Sequence, residues 1–149
     1  MRISVVGIGN LLIGDDGVGI HAVQKLSSMN LPDNVEVHDA DSNTILLLEA
    51  IEGRDKAIII DAYEKGDKPG TITKFVIDPE NLPDADIKIS LHDMGFFDGI
   101  RMGQTADVKL PKEIVVIGIE PGSLEAGMEL SPKVKAALEK VIEEVKAEF

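Results

Sequence analysis

At 149 residues, with a formal charge of −12, 44% hydrophobic and 28% charged residues, the chain fits one domain spanning 1–149. A domain of that size buries roughly two-thirds of its unfolded surface in its own core. The negative field repels polyphosphate backbones and anionic membrane surfaces, and an aromatic content of 3% leaves no platform for stacking bases, so nucleic acid and membrane are excluded as partners. Apolar stretches such as Ala57-Ile58-Ile59-Ile60 are too short to cross a bilayer. The opening Met1-Arg2-Ile3-Ser4-Val5-Val6 runs into glycines without the apolar core of a secretory signal, so a soluble, cytoplasmic protein is expected. The absence of cysteine removes disulfides, thiolate metal sites and thiol nucleophiles.

In chain order, residues 2–7 read as a short buried strand, followed by a glycine-rich turn and an amphipathic segment from Asp16 to Met29. In that segment Val18, Ala22, Val23 and Leu26 recur at helical spacing. Pro32-Asp33-Asn34 forms a turn and residues 35–38 a second strand, which completes a βαβ unit. Residues 42–51 are helix-like, with Ser42 or Asn43 as N-cap and Gly53 behind the end. The isoleucine run at 57–61 suggests a central strand covered on both faces, whereas 71–77 alternates like an edge strand, antiparallel to the rest. A polar stretch leads to a helical pattern from His92 to about Arg101, then a strand at 114–118. The terminal helix runs from Pro132 to Phe149, with Ser131 as N-cap before a proline at the first helical position. Strands alternating with helices make an α/β three-layer sandwich, a five-stranded, mostly parallel, twisted sheet with helices on both faces.

Sheets of this kind bind ligands outside the carboxyl ends of their strands, where chain order reverses. If strand one lies between strands two and three, the loop before Asp16 and the end of strand three at Asp61 face one crevice. The turn Gly7-Ile8-Gly9-Asn10-Leu11-Leu12 lacks the third glycine of a dinucleotide-binding turn, and Asp15 and Asp16 place negative charge where a phosphate would need amides. Those acids equally suit helix capping and dipole compensation, and Asp61 suits a cap or turn. His21 and His38 read as structural or solvent-facing. His92 stands at a loop-to-helix junction, as a surface histidine near a helix start or as an imidazole aimed into the crevice. Two carboxylates and an imidazole suit nickel, zinc, manganese or iron without choosing among them. Neither a G-x-S-x-G elbow nor an H-E-x-x-H helix occurs.

Taken together, Gly7-x-Gly9-Asn10, Asp15-Asp16-Gly17-x-Gly19, Asp61-Ala62, Ser90-x-His92-x-x-Gly95, Gly118-Ile119-Glu120-Pro121 and Leu130-Ser131-Pro132 resemble the hydrogenase maturation endopeptidase family over nearly the full length. The resemblance implies removal of a C-terminal extension from the precursor large subunit of a nickel-iron hydrogenase after nickel insertion. The nickel is carried by the substrate and serves as the recognition signal. Position by position, the resemblance assigns nickel contact to Asp16, Asp61 and His92. Where many members resemble Asp-Gly-Gly-Thr after strand two, this chain has Asp39-Ala40-Asp41-Ser42. Asp39 matches, either as a base activating water or as a plain turn residue. The competing readings are a self-contained metal-dependent hydrolase and a non-enzymatic metal- or nucleotide-binding module of the same fold.

Overall fold

A computed structural model describes residues 1–82 and 95–149. Five strands form one sheet: β1 (Ile3–Gly7), β2 (Val35–Asp39), β3 (Lys56–Ala62), β4 (Ile72–Ile77) and β5 (Glu113–Ile119). Their spatial order is β2-β1-β3-β5-β4. Every pairing is parallel except β4 with β5, which is antiparallel at the edge. The alternation of 71–77 is thereby explained: β4 has one neighbour and a half-wet surface, while Ile58, Ile59 and Ile60 in β3 are fully buried.

Among the described residues four α-helices cover the faces: α1 (Val18–Ser27), α2 (Thr44–Ile51), α3 (Gly95–Thr105) and α4 (Pro132–Lys146). One apolar cluster joins Val18, Ala22 and Leu26 of α1 and Val134, Val141 and Val145 of α4 to Val5, Ile58 and Ile117 of the sheet. The opposite cluster joins Leu47 and Ile51 of α2 and Phe96 and Ile100 of α3 to Val6, Ile59 and Val116. Neighbouring strand residues thus feed opposite cores, as the pleat requires. The expected three-layer α/β sandwich is the observed one.

Local departures have local causes. The segment expected to be helical from Asp16 begins instead as a 3₁₀ turn, Gly14–Gly17, before α1. There the Asp15 amide donates to the Ser123 carbonyl at 2.9 Å, a tertiary bond in place of a helical one. Asn43 is the N-cap of α2, its Oδ1 accepting from the amides of Ile45 and Leu46 at 2.9 and 3.2 Å, so the Ser42 alternative falls away. Helix α3 runs four residues past the expected Arg101, to Thr105, and packs closely on α2 at Gly103, where a Cβ would lie 2.9 Å from Leu48 Cδ2. Ser131 holds the N-cap position of α4 with an extended backbone but makes no side-chain cap bond.

A close backbone approach sets the height of α1 above the sheet. A Cβ on Gly19 would stand 2.1 Å from the Ile60 carbonyl oxygen, a distance no side chain tolerates. Glycine therefore brings the start of α1, and the turn before it, down over the C-terminal ends of β1 and β3.

Candidate active site

Register decides which side chains meet. Gly7 lies opposite Asp39 in β2 and Ile60 in β3, so β1 and β2 end together while β3 runs two residues further, to Ala62. Asp61 is the first of those two residues. Chain order reverses here, with β2 on one side of β1 and β3 on the other, which opens the crevice the architecture favours for ligands. The chain leaving β1 stays bonded to both neighbours: Ile8 donates to the Ile60 carbonyl at 3.0 Å and Gly9 to the Asp41 carbonyl at 2.9 Å.

Gly9 then turns with φ +139°, and a Cβ there would lie 2.0 Å from the Asp16 carbonyl oxygen and 3.7 Å from Asp61 Oδ1. The backbone of Asp16 and the carboxylate of Asp61 accordingly flank one glycine. Both aspartates are buried, 4% and 1% exposed, and backbone amides orient both: Asn10 donates to Asp16 Oδ2 at 2.8 Å and Ala62 to Asp61 Oδ1 at 2.7 Å. Two hard oxygen donors on rigid backbone at a switch point are suited to a divalent metal.

The other expected residues are placed differently. His92 lies outside the described residues, and among those described no group of three or more His, Asp or Glu side chains is arranged to hold a metal. Asp39 is exposed and accepts the Asp41 amide at 2.9 Å, the turn role weighed for it from sequence. Asp41 adopts φ 51° where the family pattern has its second glycine; aspartate tolerates the left-handed region better than most residues. His21 is half-buried, with Nε2 3.2 Å from the Met128 carbonyl, and His38 sits beside Glu36.

Asp15 is a correction. Its carboxylate does not cap α1, which has Gly17 at its N-cap and no side-chain cap bond. It is buried and accepts the Gly122, Ser123 and Ser131 amides at 2.7, 2.9 and 2.7 Å and the Ser131 hydroxyl at 2.6 Å. Ser131, which makes no side-chain cap bond, has its hydroxyl turned to this charged acceptor. Burial by itself pushes the Asp15 carboxyl up, but the Ser131 hydroxyl and the three amides together hold it below the ordinary carboxylate range. Glu120 has a similar duty, accepting the Lys65 and Asp67 amides at 2.9 and 2.8 Å. Sequence reasoning singled out neither as an anchor; an acid directly after the apolar run 114–119 was the available signal for Glu120. The two anchors fix the loops 122–131 and 65–67, while Asp16 and Asp61 are oriented by amides of the loop after β1 and the end of β3.

A cavity of about 580 Å³ bordered by Asp78, Gln104, Asp107 and Lys112 lies at the other end of the sheet, where Ile77 of β4 meets Ile114 of β5.

The family model described as hydrogenase maturation protease matches residues 20–148. The chain belongs to the hydrogenase maturation protease family. It is 35% identical over 150 residues to the hydrogenase 2 maturation protease of Escherichia coli, covering 99% of this chain and 90% of that protein. Among solved structures, the hydrogenase maturating endopeptidase of E. coli superposes with a TM-score of 0.84 at 34% identity, covering 99% of this chain and 91% of that one. A nickel-iron hydrogenase maturation protease from Thermococcus kodakarensis superposes with a TM-score of 0.81 at 31% identity over 99% and 98% of the two chains. The protein is thus a peptidase of hydrogenase maturation. No helix among the described residues is long and apolar enough to cross a membrane.

Proposed function

We propose that this peptidase removes the C-terminal extension of the large-subunit precursor of a nickel-iron hydrogenase, after nickel insertion, in the cytoplasm. The observation that carries the reading is two buried aspartates with amide-oriented carboxylates, Asp16 and Asp61, whose backbone and carboxylate respectively flank Gly9 at the switch point of a chain without cysteine. In this reading the nickel arrives as part of the substrate. Asp16, Asp61 and His92 contact it, and docking brings the scissile peptide bond beside it. The ion then polarises the carbonyl or a water, and alignment supplies the rest of the rate. Asp39, on the β2 side of the crevice, is the base proposed to activate the water, provided its bond to the Asp41 amide is released.

The test is to incubate the protein with nickel-loaded and nickel-free precursor and follow release of the C-terminal peptide by mass spectrometry. Cleavage confined to the loaded precursor is expected. Equal rates on both would overturn nickel recognition, and tight nickel binding by the peptidase alone in calorimetry, with cleavage of unrelated peptides, would make it a self-contained metallohydrolase.

A further inference from the structure

The loops bordering Asp16 expose apolar side chains that the core does not use. Leu12 is 61% exposed, Met128 56% and Leu124 44%. They lie on two chain segments held against each other. Ile13 and Gly127 form a parallel bridge, the Gly127 amide donates to the Leu12 carbonyl at 2.8 Å, and the Gly14 amide donates to the Gly127 carbonyl at 2.8 Å. The second segment is fastened to Asp15 through Gly122, Ser123 and Ser131. Leu12 stands two residues from Asn10, whose amide orients Asp16. The exposed side chains therefore stand on one backbone frame, beside the loop that carries Asp16.

Exposed apolar groups clustered on a rigid frame mark a surface that is covered in use, and two observations select what covers this one. A peptidase must hold its substrate chain beside the scissile bond as well as at it, and the frame that carries these side chains is the loop that orients Asp16 and the segment bonded to it. A second copy of this chain would bring a further −12 charge to a rim already carrying exposed Glu125 and Glu129, an arrangement opposed by like-charge repulsion.

We infer that Leu12, Leu124 and Met128 form a docking ledge for an extended apolar segment of the substrate polypeptide, setting affinity for substrate rather than the rate of bond cleavage. The inference rests on the proposed role of the adjoining crevice. Its test is the affinity of wild type and of L12S/L124S/M128S for nickel-loaded large-subunit precursor by biolayer interferometry, with KM and kcat measured alongside. Loss of the three apolar contacts is expected to weaken binding about tenfold and raise KM about as much, with kcat unchanged. V76S, at an apolar position 63% exposed on β4, should change neither.

An unchanged Kd in a folded triple variant overturns the ledge, as does failure of wild type to bind the precursor. So does a wild-type dimer in sedimentation that the triple variant splits without change in Kd, since the ledge would then belong to a second copy. If the triple variant does not fold by circular dichroism, L12S and M128S are measured singly, each expected to weaken binding about threefold. Wild type that binds precursor through the ledge yet releases no peptide leaves the ledge standing and defeats the proposed function instead.

Discussion

Asp15 and Asp16 are consecutive acids in one 3₁₀ turn, both buried, yet they belong to different structures. Asp15 accepts from residues more than a hundred positions along the chain and fastens the 122–131 loop and the head of α4 to the turn. Asp16 is oriented by the nearby Asn10 amide and sits across Gly9 from Asp61. The residue whose donors come from a distant loop builds the frame; the residue held by its own loop is carried by it. Burial alone does not distinguish an anchor from the working carboxylate proposed for Asp16; the distant donors of Asp15 are what mark it as an anchor.

The contrast breaks first, and most visibly, at Asp16 and Asp61. Asn in either place keeps a carbonyl oxygen for the amide that orients it, so the fold should survive, while the charged metal contact proposed for that position is lost. Cleavage of nickel-loaded precursor should fall at least about a hundredfold in kcat/KM, with the urea midpoint of unfolding moved little. A variant as unstable as one lacking Asp15 would mean that Asp16 is an anchor too.

Asp15→Ala should do the reverse. It removes a buried anionic acceptor from three amides and a hydroxyl, and stranding such donors costs about 3 kcal/mol, to be read from urea denaturation. Cleavage by the fraction still folded at low temperature should fall less than in the Asp16 variant.

The same carboxylate sharpens the comparison through pH. The folded-state pKa of Asp15 lies below its ordinary 3.8, so the unfolded chain binds its proton first as acid is added. Its stabilisation is complete above that ordinary value and is lost as pH falls through the lower, folded one. Wild type should therefore lose more stability than Asp15→Asn between neutral pH and about pH 2. Glu36 and Glu148, whose carboxyls are also lowered by their cationic partners, set a background common to both proteins, and parallel stability curves would show that Asp15 is not an anchor in solution.

The sheet was legible because its signals are local and periodic. The isoleucines of β3, the alternation in β4 and the heavy apolar face of α1 each state their burial in a few residues. The neighbourhood of Asp16 and Asp61 could also be deduced, since strand order and a functional end are general properties of such sheets. The anchors could not. Nothing near Gly14-Asp15-Asp16-Gly17 indicates that amides from Gly122, Ser123 and Ser131 arrive at one of the two acids, because long-range hydrogen bonds leave no period in a sequence. For the same reason Ser131 reads as an ordinary cap: position fixes its backbone, while its hydroxyl follows the stronger acceptor.

The smallest effect concerns the loop on the β2 side of the crevice, where the chain departs from its family's glycines. Asp41 holds φ 51°, and its carbonyl accepts the Gly9 amide, so its conformation bears on the turn that brings Asp16 and Asp61 together. A β-carbon in the left-handed region costs on the order of 1 kcal/mol, part of which aspartate recovers through local bonding. Asp41→Ala keeps the β-carbon and loses only that recovery, so it should destabilise by less than about 1 kcal/mol. Asp41→Gly relieves the backbone but gives the unfolded chain more freedom, and the two terms should cancel to within about 0.5 kcal/mol. If the glycine variant is as unstable as the alanine one, the loop depends on the Asp41 side chain rather than on its backbone, and the family's glycines cannot stand in its place.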